Sequence, residues 1–157
     1  MLLREVFSRF GQLVSMSKTI KSESISQKEI SHKNIVVEYF KLLGLGEFKE
    51  GLHFFAADCK THNPYVSGGM KALTDAMIAA NKGMASQHSE PEFAVKHVLA
   101  DGDFVAVHTQ LLNSKSKPDE GGLRQVHLFR FEGEKIVEYW DISQQVLPNM
   151  PNASGAF

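Results

Sequence analysis

Apolar positions recur along this chain with two different periods, helical before Pro91 and strand-like after it. Val36, Tyr39, Phe40 and Leu43 stand at i, i+3, i+4 and i+7, the spacing that gathers side chains on one helical face. Ser26 and Glu29 ahead of them have capping-box spacing, with Ile25 and Ile30 placed to staple the helix start. Gly44 and Gly46 predict its end, because glycine enters the left-handed cap without a Cβ clash. A second, short helix is predicted from Glu47 to Phe55, with Phe48, Leu52 and Phe55 inward. After a loop marked by Pro64 and Gly68-Gly69, a third helix carries Met70, Leu73, Met77, Ala80 and Met84. That methionine stripe reads as adaptable core packing.

Beyond Pro91, Phe93, Val95, His97 and Leu99 alternate with Ala94, Lys96 and Val98 as in a strand. Asp101-Gly102 supplies tight-hairpin chemistry, and Phe104 to Leu112 is the return strand. A polar loop, Asn113 to Gly122, leads to a second hairpin, Leu123 to Phe131 and Lys135 to Gln144, joined through Glu132-Gly133-Glu134. Helices first and antiparallel strands afterwards make an α+β pattern. The expected architecture is three N-terminal helices packed on a strongly curved, mainly antiparallel sheet. Its boundaries fall at 25–147, with 1–24 an extension and 148–157 a tail.

Composition narrows the function classes. The 157 residues suit one domain, and Lys+Arg 17 against Asp+Glu 18 lacks the basic surplus a nucleic-acid binder needs. A single cysteine, Cys59, cannot build a disulfide framework or a Cys-rich zinc site. No apolar run approaches the ~20 residues of a membrane span. The expectation is a soluble cytoplasmic domain with neither nucleic-acid nor membrane partners. The first 31 residues hold seven serines with Arg4, Arg9, Lys18 and Lys21, which leaves three readings open. They are an organelle transit peptide, an added helix against the domain or a neighbouring subunit, and a loose tail, with Met16 as an alternative start. Arg4, Glu5 and Arg9 interrupt any secretory signal.

Seven histidines are the surplus that composition leaves unexplained. Asp141 is the clearest candidate for chemistry, because it interrupts a strand of β-formers, Ile136-Val137-Glu138-Tyr139-Trp140-Asp141-Ile142, where packing does not call for an acid. Alternation places it on one face with Tyr139 and Val137, and Glu138 with Trp140 on the other. In a dry cavity such a carboxylate becomes a proton-transfer group; solvated, or paired with Arg124 or Arg130, it does not. His127 shares a face with Gln125, Phe129 and Phe131, and reads as a core histidine or as a partner of Asp141 across the hairpin. His108 stands with Phe104 and Ala106, and His62-Asn63 precedes Pro64 where irregular backbone aims side chains into a site or merely turns. His32, His53, His88 and His97 have no supporting context. A metal centre of His62, His108, His127 and Asp141 would draw one ligand from each of four segments, with no H-x-H or H-x-x-x-H pair. No metal and no cofactor is expected.

The stretch Thr61-His62-Asn63-Pro64, the strand residue His127, and the run Gly133-Glu134-Lys135-Ile136-Val137-Glu138 followed by Tyr139-Trp140-Asp141 resemble the SnoaL-like polyketide cyclase group of the nuclear transport factor 2-like superfamily. The resemblance covers roughly residues 30–147. It implies a cone-shaped fold with a deep pocket, a homodimer through the sheet, and aldol-type closure or enolisation of a hydrophobic carbonyl compound without metal. Asp141 would be the acid/base, with His127 and His62 as catalytic partners. Asn63, His108, Tyr139, Trp140 and Phe129 would contact the small hydrophobic substrate. The competing expectation is a non-catalytic module of the same fold for small-molecule binding or dimerisation.

Overall fold

A computed structural model of the protein describes residues 26–87, 92–115 and 121–151. The expectations for residues 1–24, Ile25, His88 and the end of the tail lie outside the described residues. The elements in order are α1 (Gln27–Gly44), a 3-10 turn (Glu50–Phe54), β1 (Phe55–Thr61), α2 (Gly69–Gln87), β2 (Glu92–Asp101), β3 (Phe104–Leu112), β4 (Gly122–Glu132) and β5 (Lys135–Val146). The five strands form one mixed sheet in the order β1-β5-β4-β3-β2, with β1 parallel to β5 and the other pairs antiparallel. No helix among the described residues is long and apolar enough to cross a membrane.

The start of α1 is the capping box that Ser26 and Glu29 predict. Glu29 N–H donates to Ser26 Oγ at 3.2 Å and Ser26 N–H to Glu29 Oε2 at 2.7 Å. The free oxygen of Glu29 accepts from Gly102 N–H at 3.0 Å, tying the helix start to the β2–β3 hairpin. These backbone donors hold the Glu29 carboxyl at about 2. Val36, Tyr39 and Phe40 bury the inward stripe.

Among the described residues, two helices stand on the sheet rather than three. Residues 50–54, placed in a helix by their apolar spacing, make a five-residue 3-10 turn that runs straight into β1. A segment so short cannot offset the cost of nucleating an α-helix. Packing fixes its place: a Cβ on Gly51 would stand 2.8 Å from Tyr39 Cδ2, so only glycine lets the turn lie against that ring.

Both hairpins close on the predicted turns, Asp101 pairing with Phe104 and Glu132 with Lys135. One break in alternation matters for the site. The β4–β5 register shifts between Arg130 and Phe131, so that Phe131 faces Ile136 while Arg130 faces Glu138. Val137 is the extra residue of this bulge. Ile136, not Val137, therefore shares the inner face with Tyr139, and both are buried. The core is this inner face, Phe129, Phe131, Val105 and Val107, closed by Tyr39 and Phe40 of α1. His32 packs there as well, stacked on Phe131 at 4.1 Å with Nε2 2.9 Å from Gly133 O.

Candidate functional site

β4 and β5 pair so that His127 lies opposite Asp141 and Phe129 opposite Tyr139. Directly opposed residues share a face, and the burial of His127, Phe129 and Tyr139 makes it the inner one. The His127 ring is held on both nitrogens: Nε2 lies 3.0 Å from Thr109 Oγ1 and Nδ1 2.7 Å from Tyr139 Oη. Phe40 meets it edge-on at 5.0 Å. Desolvation pushes its pKa down to about 4, so the ring is neutral at pH 7 and carries one N–H and one lone pair. It donates to one hydroxyl and accepts from the other.

Asp141 is held from the opposite strand edge. Its Oδ2 accepts from Asn63 Nδ2 at 2.8 Å. The Asn63 amide is oriented by its other end, since Oδ1 accepts from Tyr65 N–H at 2.9 Å and leaves Nδ2 for the carboxylate. Asp141 Oδ1 is buried and has no hydrogen-bond partner among the described residues, and the same is true of the Tyr39 hydroxyl. Leaving such an atom unpaired costs about 1–3 kcal/mol, and His32 Nδ1 and Gln110 Oε1 are in the same position. Burial pushes the phenols of Tyr39 and Tyr139 above the ordinary tyrosine range, helped by Asp141 at Tyr39 and by Tyr39 and then Asp141 at Tyr139, so both remain O–H donors.

A cavity of about 240 Å³ lies between the two helices and the inner sheet face, its walls including Leu43, Met77 and Phe93. Its lining is mostly apolar, with His127 and Tyr139 reaching it from the sheet. Asp141 itself is not among the lining residues.

The other residues singled out in the sequence separate from this group. His62 turns to the outer face of β5, where Nε2 lies 2.8 Å from Glu138 Oε1 and the ring stacks on Trp140 at 4.6 Å. His108 also faces outward, its Nδ1 3.1 Å from His97 Nδ1. The grouping of His62, His108 and Trp140 with Asp141 is thus corrected: strand parity puts them on the opposite side of the sheet. Asp141, His127, Asn63, Tyr139 and Phe129 are brought together. Tyr39 and Thr109 were missed. A tyrosine on the inward stripe of α1 carries a polar tip into an apolar core, and that was the available signal for Tyr39. Among the described residues, no group of three or more His, Cys, Asp or Glu side chains is arranged to hold a metal ion.

A family model described as a SnoaL-like domain matches residues 36–139, more than half of the chain. The chain belongs to the SnoaL-like domain family. The match runs from the inward stripe of α1 to Tyr139, ending just before Asp141. A search of curated proteins finds no match to this SnoaL-like chain. Among solved structures it is similar to AclR, a candidate hydroxylase from Streptomyces galilaeus, with a TM-score of 0.59 at 15% identity over 74% of this chain and 80% of that one. A candidate ketosteroid isomerase from Kribbella flavida gives a TM-score of 0.56 at 16% identity over 83% and 90%. A candidate polyketide cyclase from Sinorhizobium meliloti gives 0.54 at 17% over 69% and 94%. At these identities the likeness shows the fold, that of the NTF2-like proteins.

Proposed function

We propose that this SnoaL-like domain enolises a small hydrophobic carbonyl compound with its own acid/base side chains. The observation that carries the reading is Asp141: one carboxylate oxygen is fixed by Asn63, and the other is buried without a partner among the described residues. In this reading Oδ1 takes the proton alpha to the carbonyl, and the Tyr39 hydroxyl donates to the oxygen on which charge develops. The enol or enolate then takes the proton back from Asp141 at another carbon, an isomerisation. Alternatively its carbon attacks a second carbonyl of the same molecule, forming the carbon–carbon bond of an aldol closure while the new alkoxide is protonated. His127 does not touch substrate oxygen here; neutral and bonded to Thr109, it holds the Tyr139 hydroxyl. The cavity, just below the ~300–1,000 Å³ usual for drug-sized ligands, suits one small molecule.

A binding module is the second reading, and the observation favouring it is that Asp141 lies outside the cavity lining. The two are separated by solvent-deuterium exchange at the alpha carbon of a bicyclic ketone such as 2-tetralone. An enzyme accelerates exchange and loses the acceleration in Asp141→Asn; a binding module retains the ketone without accelerating exchange. For the outer sheet face the proposed partner is a second copy of this chain. The family resemblance supports this, as does the apolar surface of Leu99 and Ile142, each 69% exposed there.

A further inference from the structure

Residues 62 and 63 grip β5 from both faces. His62 N–H donates to Tyr139 O at 2.9 Å, continuing the parallel pairing of β1 one residue beyond Thr61. Successive side chains of an extended segment take opposite faces, so His62 goes outward and Asn63 inward. On the outer face the His62 ring lies flat on Trp140, with 5° between planes, and Nε2 meets Glu138 Oε1. Glu138 is itself fixed, its Oε2 accepting from Arg130 Nε at 2.9 Å. These two partners hold the Glu138 carboxyl below its usual range. Beyond Asn63, Pro64 has no N–H to donate and Tyr65 is 92% exposed, and the next inward contact is Val66, packed against the core. Gly68 and Gly69 both take positive φ. His62 is therefore the side-chain anchor of Asn63 on the β1 side, with Val66 three residues beyond on the other.

We propose that His62 is a positioning residue for Asp141: clamped to Glu138 and Trp140 on the outer face, it fixes the backbone of Asn63. The Asn63 amide then engages Asp141 Oδ2 on the inner face and leaves Oδ1 for substrate. This assignment rests on the reading of Asp141 as the base. It gives His62 a role at the site without contact with the substrate, and it makes the outer face of β5 part of the catalytic support. The bulge at Val137 contributes, because it sets the parity that puts Glu138 and Trp140 outside and Tyr139 and Asp141 inside.

The test uses the full chain and two readouts. The first is the side-chain amide signal of Asn63 in a nitrogen–proton NMR spectrum, recorded without substrate, together with its rate of exchange with solvent. The second is the alpha-proton exchange of 2-tetralone. His62→Ala is expected to move the Asn63 amide signal to that of a solvated amide and speed its exchange with water. It is also expected to slow ketone exchange on the order of tenfold, the scale of a small misplacement of a reacting group. Asn63→Ala is expected to slow the ketone reaction equally, and adding His62→Ala to it to change nothing further. An Asn63 signal unchanged in His62→Ala, or a full additional loss in the double variant, overturns the proposal. Should His62→Ala fail to fold, His62→Gln is read in the same way, since it loses the stack on Trp140. If Asp141→Asn leaves ketone exchange intact, the base assignment fails, while the Asn63 signal still decides whether His62 holds Asn63.

Discussion

His127 offers a prediction whose size follows from its surroundings. The ring is 6% exposed, bonded through both nitrogens to neutral hydroxyls, and its pKa falls to about 4 from the ordinary 6.5. The unfolded chain thus takes up a proton near pH 6.5, whereas the folded protein resists protonation until about pH 4. Below pH 6.5 the unfolded state binds more protons, so stability falls as the pH drops through this window and rises as it is raised. The full difference, about 2.5 pK units at 1.36 kcal/mol each, is about 3 kcal/mol, of which about 2 is lost between pH 7 and pH 5. The carboxylates with lowered pKa, Glu29, Asp103 and Glu138, lose stability in the same direction but at lower pH, below their ordinary range. His127→Gln replaces the ring with an amide that does not titrate and can still bond to both hydroxyls. Urea unfolding at pH 7 and pH 5 should show the parent losing about 2 kcal/mol more than the variant over that interval. Parallel losses in the two proteins would refute a buried, neutral His127.

Four further outcomes follow from the same geometry. Tyr39→Phe removes a buried hydroxyl that has no partner among the described residues, so thermal melting should show stability unchanged or higher by about 1 kcal/mol. The same change should slow ketone exchange by about 10²–10³-fold, the usual loss for one donor to a developing oxyanion. Ile142→Glu places a charge on the exposed outer face, and light scattering after gel filtration should show a monomer where the parent is a dimer. The His62→Ala and Asn63→Ala pair should lose ketone exchange equally and without additivity.

The sheet was legible because its signals are local. Capping at Ser26, two hairpin turns and an alternating Phe104–Leu112 run each name their element without knowledge of the rest. The short β1 was less legible, for it pairs in parallel with β5 across the whole chain and carries exposed Asp58 and Lys60 as an edge strand does. For the site, cross-hairpin logic reached Asp141 opposite His127. It failed for His108, whose alternation with Val107 and Thr109 is plain but does not say which face is covered by helices. His62 posed the same problem, because it follows β1, whose register against β5 shifts between Phe55 and Lys60 where local spacing gives no sign of it. Tyr39 was hidden by its packing: a residue that fits the helical stripe so well reads as core, and only the orphaned hydroxyl distinguishes it.

The central claim is that Asp141 removes a proton from carbon. Solvent-deuterium incorporation into 2-tetralone, followed by proton NMR in the parent and in Asp141→Asn, addresses it most directly. The expected result is acceleration by the parent and a loss of about 10²–10⁴-fold in the variant, the usual contribution of a positioned base. Equal incorporation with both proteins, while both still bind the ketone, would contradict it.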